Sequence, residues 1–364
     1  MIKRIKVLIV DDSSLIRKLL SEILNADKDI EVVGTAQDPY AAREKIKKLQ
    51  PDVITLDVEM PRMDGVTFLK NLMRLHPIPV IMISSLTENG ADITLEALEY
   101  GAIDFVSKPK IDLAHSLPEY SEEITTKVKT AANSNVHAIT STSSALNDVM
   151  PRHTADVILD KKSHTGKRHF KTTDTIIALG ASTGGTEAIK EVLSRMPADA
   201  PGIVISQHIP EAFSKPFASR MNTCSAMTVY EAHDGQQILR GHVYIAPGSH
   251  HLLIERDGAR FVCRLNDGPL VNRHRPSVDV MFRSVAQNVG HNAIGVILTG
   301  MGNDGASGLK ELHGAGAKTI AQDEKTSVVW GMPGEAVKLG GVDAVLPLNS
   351  IAGKIMTFAK QAEQ

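Results

Sequence analysis

The chain has 364 residues, roughly two domains' worth, with 40 basic against 42 acidic side chains and a formal net charge of −2. That balance excludes a protein that holds nucleic acid mainly through phosphate charge, and two cysteines exclude a disulfide framework. No apolar run approaches the ~18 residues that span a bilayer. Met1-Ile2-Lys3-Arg4 has the charge of a signal-peptide start, but the apolar stretch behind it stops at Asp11-Asp12, too short for a signal core. A cytoplasmic protein with enough apolar residues for one or two full cores is expected.

From the N-terminus, short apolar runs at 5–10, 30–36, 53–57, 80–84 and 104–107 alternate with amphipathic segments. Between the first two runs Leu15, Ile16, Leu19, Leu20 and Ile23 recur at helical spacing. Five strands each followed by a helix predict a parallel five-stranded sheet covered on both faces. Residues 131–172 break the pattern. Ser, Thr, Asn, His and Lys dominate there and the apolar residues keep no period, which predicts a solvated, mostly disordered linker with room for a short helix. A second α/β pattern begins at Thr175, with strand-like runs at 176–179, 203–206, 243–246, 294–298 and 342–346 and helices at 187–196 and 278–288. Two further runs flank Asp257-Gly258, a hairpin turn dipeptide. The second half is therefore expected to be a doubly wound, mostly parallel sheet with an antiparallel hairpin added. The expected division is 1–125, a connecting stretch 126–172, and 173–364.

Ligands of open α/β sheets bind at the carboxyl ends of the strands. In the first half those ends carry Asp11-Asp12, Asp57, Ser84 and Lys108 in that order. Each alone reads as a helix cap or loop starter. Three converging carboxylates, however, repel one another unless a cation sits among them, and a hard divalent ion such as Mg²⁺ fits that need. The set, with Asp57-Val58-Glu59-Met60-Pro61 and Met63-Asp64-Gly65 beside it, resembles the receiver domain of two-component response regulators over residues 1–125. The resemblance implies a flavodoxin-like fold. It also implies Asp57 as phospho-acceptor, Mg²⁺ held by Asp11, Asp12 and Asp57, and phosphoryl contacts from Ser84 and Lys108.

In the second half Gly180-Ala181-Ser182-Thr183-Gly184 follows a strand and precedes a helix, the context of a nucleophile elbow. The Thr183 backbone N–H then points where an oxyanion would form. A Walker loop fails for want of a lysine. A dinucleotide loop would want an acid ~20 residues on, where Ser206-Gln207-His208 stands instead. A serine needs a base. His208 closes the next strand, and His274 in Arg273-His274-Arg275-Pro276 is its rival. Asp304 follows a third buried strand, within Asn303-Asp304-Gly305, a sequence that equally suits a plain turn. Three strand ends thus offer Ser, His and Asp, an order foreign to α/β-hydrolases but sufficient for the chemistry.

Taken together, the receiver, the linker, Gly180–Gly185, Gln207-His208-Ile209-Pro210 and Gly300–Gly305 make the chain similar to the chemotaxis protein-glutamate methylesterases. The resemblance implies Ser182 as nucleophile, His208 as base and acid, and Asp304 orienting His208. It further implies oxyanion contacts from the Thr183 and Met301 amides, and a substrate cleft shaped by Arg273, His274 and Arg275. Methyl-accepting chemoreceptors would be the substrate, with deamidation of certain receptor glutamines, and a chemotaxis histidine kinase the phosphodonor. No nucleic acid is expected as partner, no cofactor in the second half, and membranes only through the receptors.

Overall fold

The computed structural model describes residues 4–61, 63–85, 87–108, 113–134, 153–161 and 175–362. The chain divides into two compact units between residues 138 and 139. In the first, described strands and helices alternate as β1 (Ile5–Val10), α1 (Ser14–Asn25), β2 (Ile30–Ala36), α2 (Pro39–Leu49), β3 (Val53–Asp57), α3 (Gly65–Leu75), β4 (Val80–Ser84), α4 (Glu88–Glu99), β5 (Asp104–Ser107) and α5 (Leu113–Ala132). All pairings are parallel, in the order β2-β1-β3-β4-β5. Every residue of β3 and β4 is buried, as a sheet covered on both faces requires. Side chains start the helices: Ser13, Asp38, Asp64 and Thr87 accept hydrogen bonds from the first turns of α1 to α4. The chain leaves β1 for β2 on one side and returns to β3 on the other, which opens a crevice beyond the carboxyl ends of β1 and β3.

The second unit runs β6 (Ile176–Ala181), α6 (Gly185–Leu193), β7 (Gly202–Gln207), α7 (Glu211–Cys224), β8 (Thr228–Glu231), β9 (His242–Ile245), β10 (His251–Asp257), β11 (Arg260–Asn266), α8 (Val278–Asn288), β12 (Ala293–Ile297), α9 (Ala306–Gly314), β13 (Lys318–Gln322), α10 (Met332–Lys338), β14 (Ala344–Leu346) and α11 (Leu348–Ala362). Its seven-stranded sheet is parallel throughout, ordered β14-β13-β12-β6-β7-β9-β8. Here β6 lies between β7 and β12, so the crevice opens at the carboxyl ends of those three strands. Helix α8 is buried almost all round. Its Val278, Met281, Phe282 and Val285 share one core with strand residues such as Ala178 and Val204 and with Leu252, Ile254 and Phe261 of the hairpin.

The architecture is the one expected, with differences in detail. The hairpin β10–β11 pairs as a sheet of its own and does not extend the parallel one. Strands β8 and β13 were not anticipated: β8 is a four-residue edge strand of mixed exposure, and β13 mixes Thr and Gln into its buried run. Helix α5 continues through residue 125 to Ala132. Residues 153–161, within the stretch that composition marks as linker, include a 3₁₀ turn at Ala155–Val157 that packs on the second unit. Phe282 is fully buried, and Phe282→Ala should destabilise the second unit by about 3–5 kcal/mol. Denaturant unfolding followed by Trp330, the chain's single tryptophan, measures it.

Candidate active site

The first unit gathers its expected residues at the β1/β3 crevice. Asp11 and Asp57 are buried, Asp12 is exposed, and each offers a carboxylate oxygen within 4.8 Å of the other two. Lys108, just past β5, reaches Asp57 at 2.8 Å. Burial pushes the Asp57 carboxyl up to about 6; Lys108 opposes the rise and the neighbouring Asp11 charge adds to it. Burial likewise raises Asp11. Asp11 Oδ1 accepts from the Ser13 amide at 2.8 Å, while its Oδ2 is buried with no hydrogen-bond partner. An orphaned buried carboxylate oxygen beside two more carboxylates is a hard-oxygen donor set, and Mg²⁺ fits it. Ser84 is buried at the end of β4, its hydroxyl 2.6 Å from that of Thr94 on α4.

In the second unit β6 ends in a turn that lifts Ser182 to the start of α6. The turn needs Gly184, whose φ is +73°, and the Ser182 amide is fixed by the Thr299 carbonyl at 3.0 Å. His208 follows β7. Its Nδ1 lies 3.0 Å from Ser182 Oγ and its Nε2 lies 2.8 Å from Asp304 Oδ2. An ionised carboxylate can only accept, so Nε2 carries the proton and Nδ1 presents its lone pair to the serine. His274 stacks on His208, ring centroids 3.6 Å apart.

Asp304 is 2% exposed. Besides His208 it accepts from Asn272 Nδ2 (2.8 Å), Ser277 Oγ (2.8 Å) and the Val278 and Asp279 amides (2.7 and 3.2 Å). Burial alone would raise its pKa. The His208 hydrogen bond, the nearby imidazoles and Asn272 overcome that and hold the carboxyl well below the usual range. A hydroxyl, an imidazole and a carboxylate in line can activate the hydroxyl as a nucleophile.

Gly300 packs directly on Ser182: a Cβ there would stand 2.9 Å from the serine Cβ. The backbone leading into Met301 therefore passes beside the hydroxyl-bearing residue. Arg275 donates to the Asp267 and Gly268 carbonyls at 2.9 and 3.0 Å, and Arg273 is exposed on the same loop. Sequence reading missed Gln207, Asn272, Ser277 and Asp279. Gln207 Nε2 donates to the carbonyls of both Ser182 and His208 at 3.1 Å, stapling their backbones together. Its place immediately before His208 at a strand end was the available signal. Asp279 and Asn272 show no such sign, since their partners come from distant elements.

An acidic, lysine-bearing crevice on one parallel sheet and a Ser–His–Asp line on another define a response regulator whose second half is a hydrolase. Residues 7–117 match the response regulator receiver domain and 177–355 the CheB methylesterase. The chain is 61% identical to the protein-glutamate methylesterase/protein-glutamine glutaminase of Hydrogenovibrio crunogenus, over 98% of this chain and all of that one. It belongs to the protein-glutamate methylesterase/protein-glutamine glutaminase family. A relative from Geobacter metallireducens is 56% identical over 96% of this chain and 95% of its own. The solved catalytic domain of the Thermotoga maritima CheB methylesterase aligns at TM-score 0.50 and 37% identity, over 50% of this chain and 98% of that domain.

The raised Asp57 pKa fixes a sign. Between about pH 4 and 6 the folded unit holds a proton that the unfolded chain has released, so this group's contribution to stability falls as pH rises through that window. A divalent cation reverses the loss. Mg²⁺ should stabilise the first unit more at pH 7 than at pH 5, by up to ~2.7 kcal/mol at a hundredfold excess over Kd, seen as a higher melting temperature. In Asp57→Asn the Mg²⁺ effect should shrink. Scanning calorimetry with and without Mg²⁺ reads both.

Proposed function

We propose that this chain hydrolyses γ-glutamyl methyl esters on the cytoplasmic helices of methyl-accepting chemoreceptors and deamidates particular receptor glutamines, using Ser182, His208 and Asp304. The observation that carries the reading is the single imidazole joined to Ser182 at 3.0 Å and to Asp304 at 2.8 Å. His208 Nδ1 takes the Ser182 proton as Oγ attacks the ester carbonyl. The tetrahedral oxyanion is received by the Thr183 and Met301 amides, an assignment supported by the close packing of Gly300 on Ser182. As the intermediate collapses, His208 returns the proton to the departing methoxide and methanol leaves; with a glutamine side chain, ammonia leaves instead. His208 then deprotonates water, which attacks the acyl group and frees glutamate and Ser182. Asp304 stays ionised and stabilises the imidazolium in both halves of the cycle. Arg273, His274 and Arg275 shape the cleft, His274 by covering one face of the His208 ring.

The receiver extends through α5, and the catalytic domain occupies 173–364. A chemotaxis histidine kinase is the phosphodonor. Asp57 Oδ attacks the phosphorus of the phosphohistidine, the P–N bond breaks and the kinase imidazole leaves, giving an acyl phosphate with Lys108 and Ser84 on the phosphoryl oxygens. Asp11, Asp12 and Asp57 would hold Mg²⁺, which would supply charge neutralisation there. The site of action is the cytoplasm, and among the described residues no helix is long and apolar enough to cross a membrane.

Ser182→Ala should lower ester hydrolysis by a factor on the order of 10⁴–10⁶ without unfolding the chain. A fluorophosphonate should label wild type on Ser182, read by mass spectrometry. A tenth of wild-type turnover in the variant, or labelling elsewhere, defeats the assignment. Asp57→Asn should keep basal hydrolysis but lose both the hydroxylamine-labile label from acetyl phosphate and the accompanying stimulation. Stimulation that survives in the variant would place the acceptor on another residue.

A further inference from the structure

Asn272 holds a left-handed backbone at φ +49°, and Arg273 follows at +70°. Asparagine accepts that region more readily than most side chains, but two such residues in succession persist only where their surroundings fix them. The fixing contacts run in two directions. Inward, the Asn272 amide nitrogen donates to Asp304 Oδ1 and to Asp279 Oδ2, each at 2.8 Å, one proton for each carboxylate. Outward, its backbone N–H donates to the His153 carbonyl at 3.0 Å.

His153 opens a strap, residues 153–161, that lies on the catalytic domain. Ala155 is buried, and Ile158 and Leu159 pack with it against Leu253, Val271 and Val280. The fit is close: a Cβ on Gly268 would come within 2.2 Å of Ile158 Cδ1. Arg283 of α8 is the clamp. Its buried guanidinium makes two bonds of 2.8 and 2.7 Å to Glu311 on α9. It reaches the strap at Asp156 (2.7 Å) and at the Leu159 carbonyl (2.9 Å). A buried cation needs such partners, so the strap answers a charge as well as an apolar patch. Val271, which the strap covers, immediately precedes Asn272.

We infer that Asn272 is a positioning residue for Asp304, and that the strap holds Asn272 in place, so that the segment leading into the catalytic domain bears on the triad. This rests on the roles of Ser182, His208 and Asp304 proposed above. The path is short: His153 carbonyl to Asn272 backbone, Asn272 amide to Asp304, Asp304 to His208. Asn272 acts through the carboxylate and has no part in bond making. Without its amide Asp304 keeps its other four donors. The fold therefore stands while the aim of the carboxylate relaxes. A misplacement of ~1 Å in such a site can cost on the order of 10²-fold in rate.

The test uses the full chain and a peptide bearing a glutamyl methyl ester. Asn272→Gly keeps the left-handed backbone and removes the amide. It should lower kcat by roughly 10–100-fold with KM within about twofold of wild type, the chain staying folded at a melting temperature lowered by the donor that Asp279 loses. Asp156→Ala and Ile158→Ala loosen the strap and should each lower kcat by roughly 3–10-fold. The double variant Asn272→Gly/Asp156→Ala should be no slower than Asn272→Gly alone, because changes along one path do not add. Wild-type kcat in Asn272→Gly, or effects that multiply in the double variant, overturns the inference. Should Asn272→Gly fail to fold, the two strap variants decide it, and wild-type kcat in both overturns it. Ser182→Ala is assayed alongside. If it stays active, the triad reading itself has failed; if it is dead while Asn272→Gly is fully active, only the positioning role has.

Discussion

The catalytic half is organised around one buried carboxylate. Placing an ion such as Asp304 out of water costs several kcal/mol unless its oxygens are met by donors, and five donors meet it. Three of them come from the start of α8: the Ser277 hydroxyl and the Val278 and Asp279 amides. Asp304 therefore sits where the partial positive charge of that helix end lies. This explains why α8, buried between sheet and hairpin, must begin where it does. Its N-terminus aims at the carboxylate, the carboxylate fixes the His208 tautomer, and the tautomer decides which nitrogen faces Ser182. Asp279 is the cost of the arrangement. Burial and the Asp304 charge push its pKa up to about 7, while Gly308 and Asn272 hold its oxygens.

How much of this was legible in the sequence follows from the kind of interaction involved. Strand ends in a parallel sheet share one edge, so a polar residue after a buried run announces its own location. That rule found Asp11, Asp57 and Lys108 on one sheet and Ser182, His208 and Asp304 on the other. It could not find Asn272, which lies in a loop between hairpin and helix and whose partners are seven and 32 residues away. The rule favoured His208, while residue type alone left His274 as a rival, because stacking and hydrogen bonding are both open to an imidazole until the backbone places it. Strands β8 and β13 escaped for a related reason. An edge strand and a strand with buried Thr and Gln lack the unbroken apolar run that marks a central one. Composition left room for a short helix within 131–172 but could not place the one at Ala155–Val157. A few apolar contacts and one clamped arginine order a polar stretch that no periodicity reveals.

The two buried aspartates complete the comparison. Asp304 and Asp57 occupy equivalent crevices of two parallel sheets, yet their carboxyl groups move in opposite directions. The difference lies in what surrounds them. Asp304 is enclosed by donors and an imidazole, so its carboxyl is held well below the usual range and its oxygens are committed; such a group can orient and stabilise but has no lone pair to spare for attack. Asp57 has a lysine, one backbone amide and two neighbouring carboxylates. It is under-satisfied by design of its surroundings, and a cation or a phosphoryl group relieves it. On the roles proposed above, one residue type serves as a fixed charge in the catalytic half and as a reactive acceptor in the receiver, an assignment consistent with the count of donors and like charges around each. Exchanging those environments, and not the residues, is what would exchange the roles.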